Sequence, residues 1–170
     1  MIRVVVDDLA ILSADAIVRP VTARLHAATP AVRRLEEIGG MEFVRHLDLQ
    51  KELAVGAAVV TGGGGELPAE YVIHAVIQSD TEPVTRKNVA RAWLSALERA
   101  REWEFARLTV PPLGTGDGNL SVADTAALMT EVVAQFGGAS FPSDVCIVVQ
   151  TADEQAAFEA AVRRAHAAES

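Results

Sequence analysis

Cysteine is nearly missing from this chain. Cys146 stands alone inside the apolar run VCIVV, so no intrachain disulfide and no paired-cysteine metal site can form. That setting predicts a small buried hydrophobe in a strand. Aromatic residues make up only 5% of the sequence, against 50% hydrophobic residues overall, which leaves the core to Ala, Val, Leu and Ile. Positive charge is in deficit: 15 Lys and Arg face 23 Asp and Glu, for a formal net charge of −8. Binding to nucleic acid is thereby disfavoured, because it rests on clustered cations that neutralise phosphates. A phosphate-bearing ligand would have to be met by local backbone donors. No apolar stretch approaches the roughly 18 residues that a membrane-spanning helix needs. The opening MIRVVVDD is charged too soon for a secretory leader. A soluble, cytoplasmic protein with no membrane partner is expected. His26 and His46 have no neighbours spaced as metal ligands, so neither a metal nor a cofactor is implied.

What is present is an alternation of short β-branched runs and Ala-rich helical stretches. Residues 2–6 read as a strand ended by Asp7 and Asp8, and residues 16–18 as a second one stopped by Pro20. Thr29 and Pro30 have the form of a helix cap and first helical residue, with Gly39 and Gly40 closing that helix. Residues 41–53 read as helical. Residues 57–61 and 71–77 read as strands joined through GGGGELP, and residues 88–103 as an amphipathic helix with Val89, Trp93, Leu97 and Ala100 on one stripe. A strand at 108–110 precedes PPLGTGDGNL. Ser121 with Asp124, and later Thr151 with Glu154, form capping boxes. Between them residues 145–149 form a continuously apolar strand, typical of one covered on both faces. The last helix should end near His166, leaving a frayed tail. No linker or repeat divides residues 1–170, so one domain is expected. The order of elements predicts a three-layer α/β/α sandwich with a mixed, mostly parallel sheet. His74 alternates along its strand as a hydrogen-bonded core residue would, and RRLEE, residues 33–37, reads as an exposed helix face. Arg19, at the end of an apolar strand, is read as a surface ion pair or a phosphate contact.

The sharpest local feature is GTGDGN: Gly114, Thr115, Gly116, Asp117, Gly118 and Asn119. Glycines at alternate positions let backbone N–H groups turn into one concave nest. The following helix adds its positive end, which suits an anion such as a diphosphate. The spacing is not the G-x-G-x-x-G of a dinucleotide fold, and no Gly-Lys-Ser/Thr marks a P-loop. A plain turn is the competing reading.

Taken together, several segments resemble the macro domain family. Asp7-Asp8-Leu9 resembles its Gly-Asp-Ile step, and DAIV matches its second strand. VGAAVVTGGGGELPAEYVIHAV resembles its middle hairpin, and LTVPPLGTGDGNLSVADTAALM its second phosphate loop and helix. The resemblance implies a site for ADP-ribose or a related nucleotide. Asp8 would accept from the adenine amino group, with the Leu9 amide beside it. The backbone of Gly114, Thr115, Gly116, Asp117, Gly118 and Asn119 would hold the diphosphate.

Elsewhere the chain departs from that family. Where the family has Asn-Ala-Ala-Asn, this chain has Arg19, Pro20, Val21 and Thr22. Thr22 takes the place of the ribose-orienting Asn, and a hydroxyl cannot reproduce an amide's paired donor and acceptor. The Gly-Gly-Gly-Val loop is replaced by HAATPAV, with no acid where the hydrolases carry Asp. Three functions follow: a binding module for ADP-ribose or a relative; a hydrolase that frees ADP-ribose from a protein or from a small adduct such as O-acetyl-ADP-ribose; and a domain devoted to assembly. No residue is assigned a catalytic role, and the hydrolase reading would need a substitute such as Thr22 or Asp117. An ADP-ribosylated protein would be a partner under the first two readings.

Overall fold

The structure, a computed structural model, describes residues 1–48, 51–116, 120–137 and 140–169. Six strands form one sheet in the order β1-β6-β5-β2-β4-β3. They are β1 (Ile2–Val6), β2 (Ala16–Thr22), β3 (Ala58–Gly62), β4 (Tyr71–Gln78), β5 (Arg107–Val110) and β6 (Asp144–Val149). All pair in parallel except β3, which runs antiparallel to β4. Four helices cover the sheet: α1 (Pro30–Asp48), α2 (Arg86–Glu102), α3 (Val122–Phe136) and α4 (Ala152–Glu169). The expected three-layer arrangement is present, and α4 continues past His166.

Side-chain alternation assigns the layers. Ala16, Val18, Ile73, Ala75, Val145 and Ile147 pack with Val89, Trp93, Met129 and Phe158, so α2, α3 and α4 share one face. Ile17 packs with Val32 and Leu35, which puts α1 on the other. Trp93 is fully buried, and its indole N–H donates to the Met129 carbonyl at 3.1 Å. That bond satisfies the polar edge of the largest core side chain. Cys146 is buried, as expected.

Two local expectations need correction. Pro20 does not stop β2, which runs on to Thr22. The Pro20 carbonyl accepts from the Ala28 amide at 3.1 Å, on the side of β2 away from β4. A residue's N and C=O face the same side of a strand, so the missing proline N–H falls where no sheet ladder needs it. Gly39 and Gly40 do end the first helical run, as expected. Gly40 (φ 67°, ψ −158°) kinks α1, which resumes to Asp48. Residues 51–53, expected to be helical, are not, and the Leu53 amide donates to the Ala23 carbonyl at 2.9 Å. Leu49 and Gln50 lie outside the described residues.

The GGGGELP loop docks on α1 through the Glu66 amide, which donates to the Ile38 carbonyl at 3.0 Å. Gly65 has φ 52°, and a Cβ there would collide with that carbonyl oxygen, whereas a Cβ on Gly40 would meet nothing. Gly40→Ala therefore carries backbone strain alone, about 1–3 kcal/mol. Gly65→Ala adds a collision that breaks the docking bond, and should exceed the Gly40 variant by at least about 1 kcal/mol in urea unfolding. Equal losses would refute this account of the loop.

Candidate functional site

Parallel strands β2 and β5 pair only through Ala16–Leu108 and Ile17–Thr109; beyond that they part, and their carboxyl ends open toward the loops leading into α1 and α3. In sheets of this kind ligands sit at such a parting. On the β2 side the chain turns back on itself. The Thr22 amide donates to the His26 carbonyl at 2.9 Å, and Val21 and Ala27 form an antiparallel bridge. The returning segment reaches the second loop, where the Thr29 methyl carbon lies 3.4 Å from the place a Cβ on Gly116 would take.

The second loop is shaped by its glycines. Gly114 has φ 94° and Gly116 φ 82°, a region that favours glycine. A Cβ on Gly114 would also stand 3.0 Å from Leu120 and Val89 side-chain carbons. The Leu120 amide closes the loop onto the Gly114 carbonyl at 3.2 Å, and Ser121 caps α3 by accepting from the Asp124 amide. Among the described residues, the amides of Gly114, Thr115 and Gly116 donate to no carbonyl or side chain. Free donors at a helix mouth suit an anion. Asp117, Gly118 and Asn119 lie outside the described residues.

At the end of β1, Asp7 accepts from the Asp8 amide at 2.7 Å. Asp8 is engaged at both carboxylate oxygens. Oδ1 accepts from the Ala10 amide at 2.9 Å, and Oδ2 pairs with Arg34 Nη1 at 2.9 Å. The Leu9 amide has no acceptor among the described residues, while its side chain packs against the cluster of Ile17, Val32 and Leu35.

Thr22 is tied into its own turn. Its hydroxyl oxygen accepts from the Arg24 and His26 amides, both at 3.3 Å, and its carbonyl accepts from the Leu25 amide. Arg19 departs from expectation: it is neither on the surface nor free for a phosphate, being fully buried. Nη1 pairs with Glu36 at 2.8 Å, Nε donates to His74 Nδ1 at 2.9 Å, and Nη2 donates to the Leu25 carbonyl at 2.9 Å. The guanidinium also lies over the Phe43 ring, 5.2 Å from its centroid.

These contacts settle the His74 tautomer. An Arg Nε–H can only donate, so Nδ1 is the bare acceptor and Nε2 carries the proton. Nε2 then donates to the Thr61 hydroxyl at 2.7 Å, which donates to the Gly62 carbonyl at 3.2 Å. Burial first, and then the neighbouring Arg19 charge, hold the His74 pKa well below the ordinary imidazole value. The core-histidine reading holds.

Two residues of this region escaped the sequence reading. Arg34 and Glu36 belong to RRLEE, read as an exposed face, yet one grips Asp8 and the other neutralises Arg19. The available signal was Arg19 itself, since a cation amid AIV and PV demands an acid partner.

A sequence model of the macro domain family matches residues 20–129. A protein of Aeropyrum pernix is 28% identical over 97% of this chain and 87% of its own length. One of Mycobacterium tuberculosis is 31% identical over 92% of this chain but only 43% of its own length, so the chain spans less than half of that relative. Among solved structures, the Oceanobacillus iheyensis macrodomain with ADP superposes with a TM-score of 0.85 at 19% identity, over 97% of this chain and 91% of that one. A mutant of the same macrodomain solved with ADPR gives 0.80 at 19% identity, over 98% and 93%.

The buried cluster generates two expectations. Glu36→Gln leaves the Arg19 cation without its counter-charge and should cost about 2–3 kcal/mol in urea unfolding, less than the roughly 3–5 kcal/mol of a fully buried pair because Glu36 is partly exposed. An unchanged midpoint would remove Glu36 from the account. Below about pH 6.5 the unfolded chain takes up a proton at His74 that the folded chain refuses, so stability is full above that pH and falls as pH drops through it. His74→Gln should flatten that fall when unfolding is followed from about pH 7.5 to 5.

Proposed function

The chain belongs to the macro domain family, and on that premise we propose that it binds ADP-ribose or a related nucleotide diphosphate as a binding module, without hydrolysing it. The observation that carries the reading is the set of unengaged amides at Gly114, Thr115 and Gly116, held by two positive-φ glycines at the mouth of α3. Macrodomains of the same fold have been solved with ADP and with ADPR. In this reading the diphosphate lies on residues 114–119, and the base lies near Asp8 and Leu9.

The hydrolase reading has less behind it. Thr22, its first substitute, already accepts two backbone amides within its own turn. No described acid stands in the returning segment. The assembly reading has less behind it as well: among the described side chains of the rebuilt segment, Val21, Ala23, Leu25 and Val32 are buried within the chain itself and are not presented to a partner.

Isothermal titration with ADP-ribose tests the proposal. Heat of binding is expected for the native chain. It should vanish for Gly116→Val, which forces a branched side chain into positive φ beside Thr29, while the variant keeps a cooperative melt. Absence of heat and of any thermal shift at millimolar ligand with the native protein defeats the reading. Incubated with an ADP-ribosylated protein, the chain should release no free ADP-ribose. Release that Asp117→Ala abolishes would establish the hydrolase instead.

A further inference from the structure

The Asp8 carboxylate already has a partner at each oxygen. Its Oδ1 holds the Ala10 amide and its Oδ2 holds Arg34 Nη1, each at 2.9 Å. A guanidinium carries only donors. An exocyclic amino group arriving at Oδ2 is also a donor, so it would have to share that oxygen with a cation and meet its N–H groups at close, repulsive range. Arg34 is on α1 and more than half exposed, at 56%, so its side chain can swing off into water. Beside it the Leu9 amide has no acceptor among the described residues and stands ready for a ring nitrogen.

We propose that Arg34 is a specificity-determining residue at the base end of the site. By occupying Asp8 it lowers the chain's preference for purines that carry a 6-amino group over purines that lack one. The inference rests on the nucleotide-binding reading above, and it names which part of the nucleotide this chain reads weakly.

The test compares ADP with purine riboside 5′-diphosphate, which keeps the ring nitrogen facing Leu9 but has no amino group. The ratio of the two affinities cancels any general effect of removing a positive charge near a diphosphate. The native chain should bind both within about twofold. Arg34→Met, which keeps the aliphatic stem, should raise the preference for ADP about two- to fivefold, the strength of an exposed ion pair. Arg33→Met removes the same charge one residue away and should leave the ratio where it was. Added salt weakens exposed pairs, so the preference for ADP should rise with salt in the native chain and stay flat in Arg34→Met. An unchanged or reversed ratio in Arg34→Met overturns the proposal while leaving nucleotide binding intact. Failure of both ligands to bind either protein overturns the nucleotide reading itself.

Discussion

A guanidinium with no access to water organises this molecule. Moving a charge from water into a protein interior is so unfavourable that it persists only with a counter-charge and a full set of acceptors. Arg19 meets that condition by drawing on three separate parts of the chain: Glu36 of α1, His74 of β4, and the carbonyl of Leu25 in the returning turn. Each contact constrains its owner. Glu36 ties the first half of α1 to β2. His74 must stay neutral with its proton on Nε2, which in turn orients the Thr61 hydroxyl. Leu25, buried with φ 63°, is held in a conformation that costs a branched residue about 1–2 kcal/mol. Its carbonyl is then aimed at Nη2.

The two segments where β2 and β5 part are therefore built on different physics. The loop after β5 relies on glycine: the backbone bends through positive φ at Gly114 and Gly116, and the amides of residues 114–116 engage no described acceptor. The segment after β2 has no glycine between Val21 and Gly39. It holds its shape by side-chain contacts instead, with Arg19 anchoring the turn and Thr22 gathering two amides. A glycine loop can bend around a ligand, whereas a turn pinned by a buried ion pair resists deformation.

This difference explains what could be read from the sequence. Strand positions, the caps at Thr29, Ser121 and Thr151, and the buried stripe of α2 follow from rules acting within a few residues, and they were legible. Pro20 was misread because a strand stop depends on which side the missing N–H faces, and that side was defined only when residues 26–28 returned to pair with it. The roles of Arg34 and Glu36 were hidden for a similar reason. Charges on a helix look alike until tertiary structure turns one toward Asp8 and another toward Arg19. The positive-φ turn at Gly114 and Gly116 was legible as glycine chemistry, while the engagement of Asp8 was not.

An acidic chain is an unusual host for a phosphate, and on the proposed reading the resolution is one of range. A net charge of −8 acts over distances comparable to the Debye length, about 8 Å in physiological salt, and disfavours any long polyanion lying across the surface. Backbone amides act within hydrogen-bond reach and carry no net charge to be screened. A single diphosphate held at the loop would meet Gly114, Thr115 and Gly116 at close range and need touch little of the remaining surface. A polymer of the same chemistry would have to run along the surface carboxylates. The same composition that argues against nucleic acid thus favours a small, discrete nucleotide over its polymer.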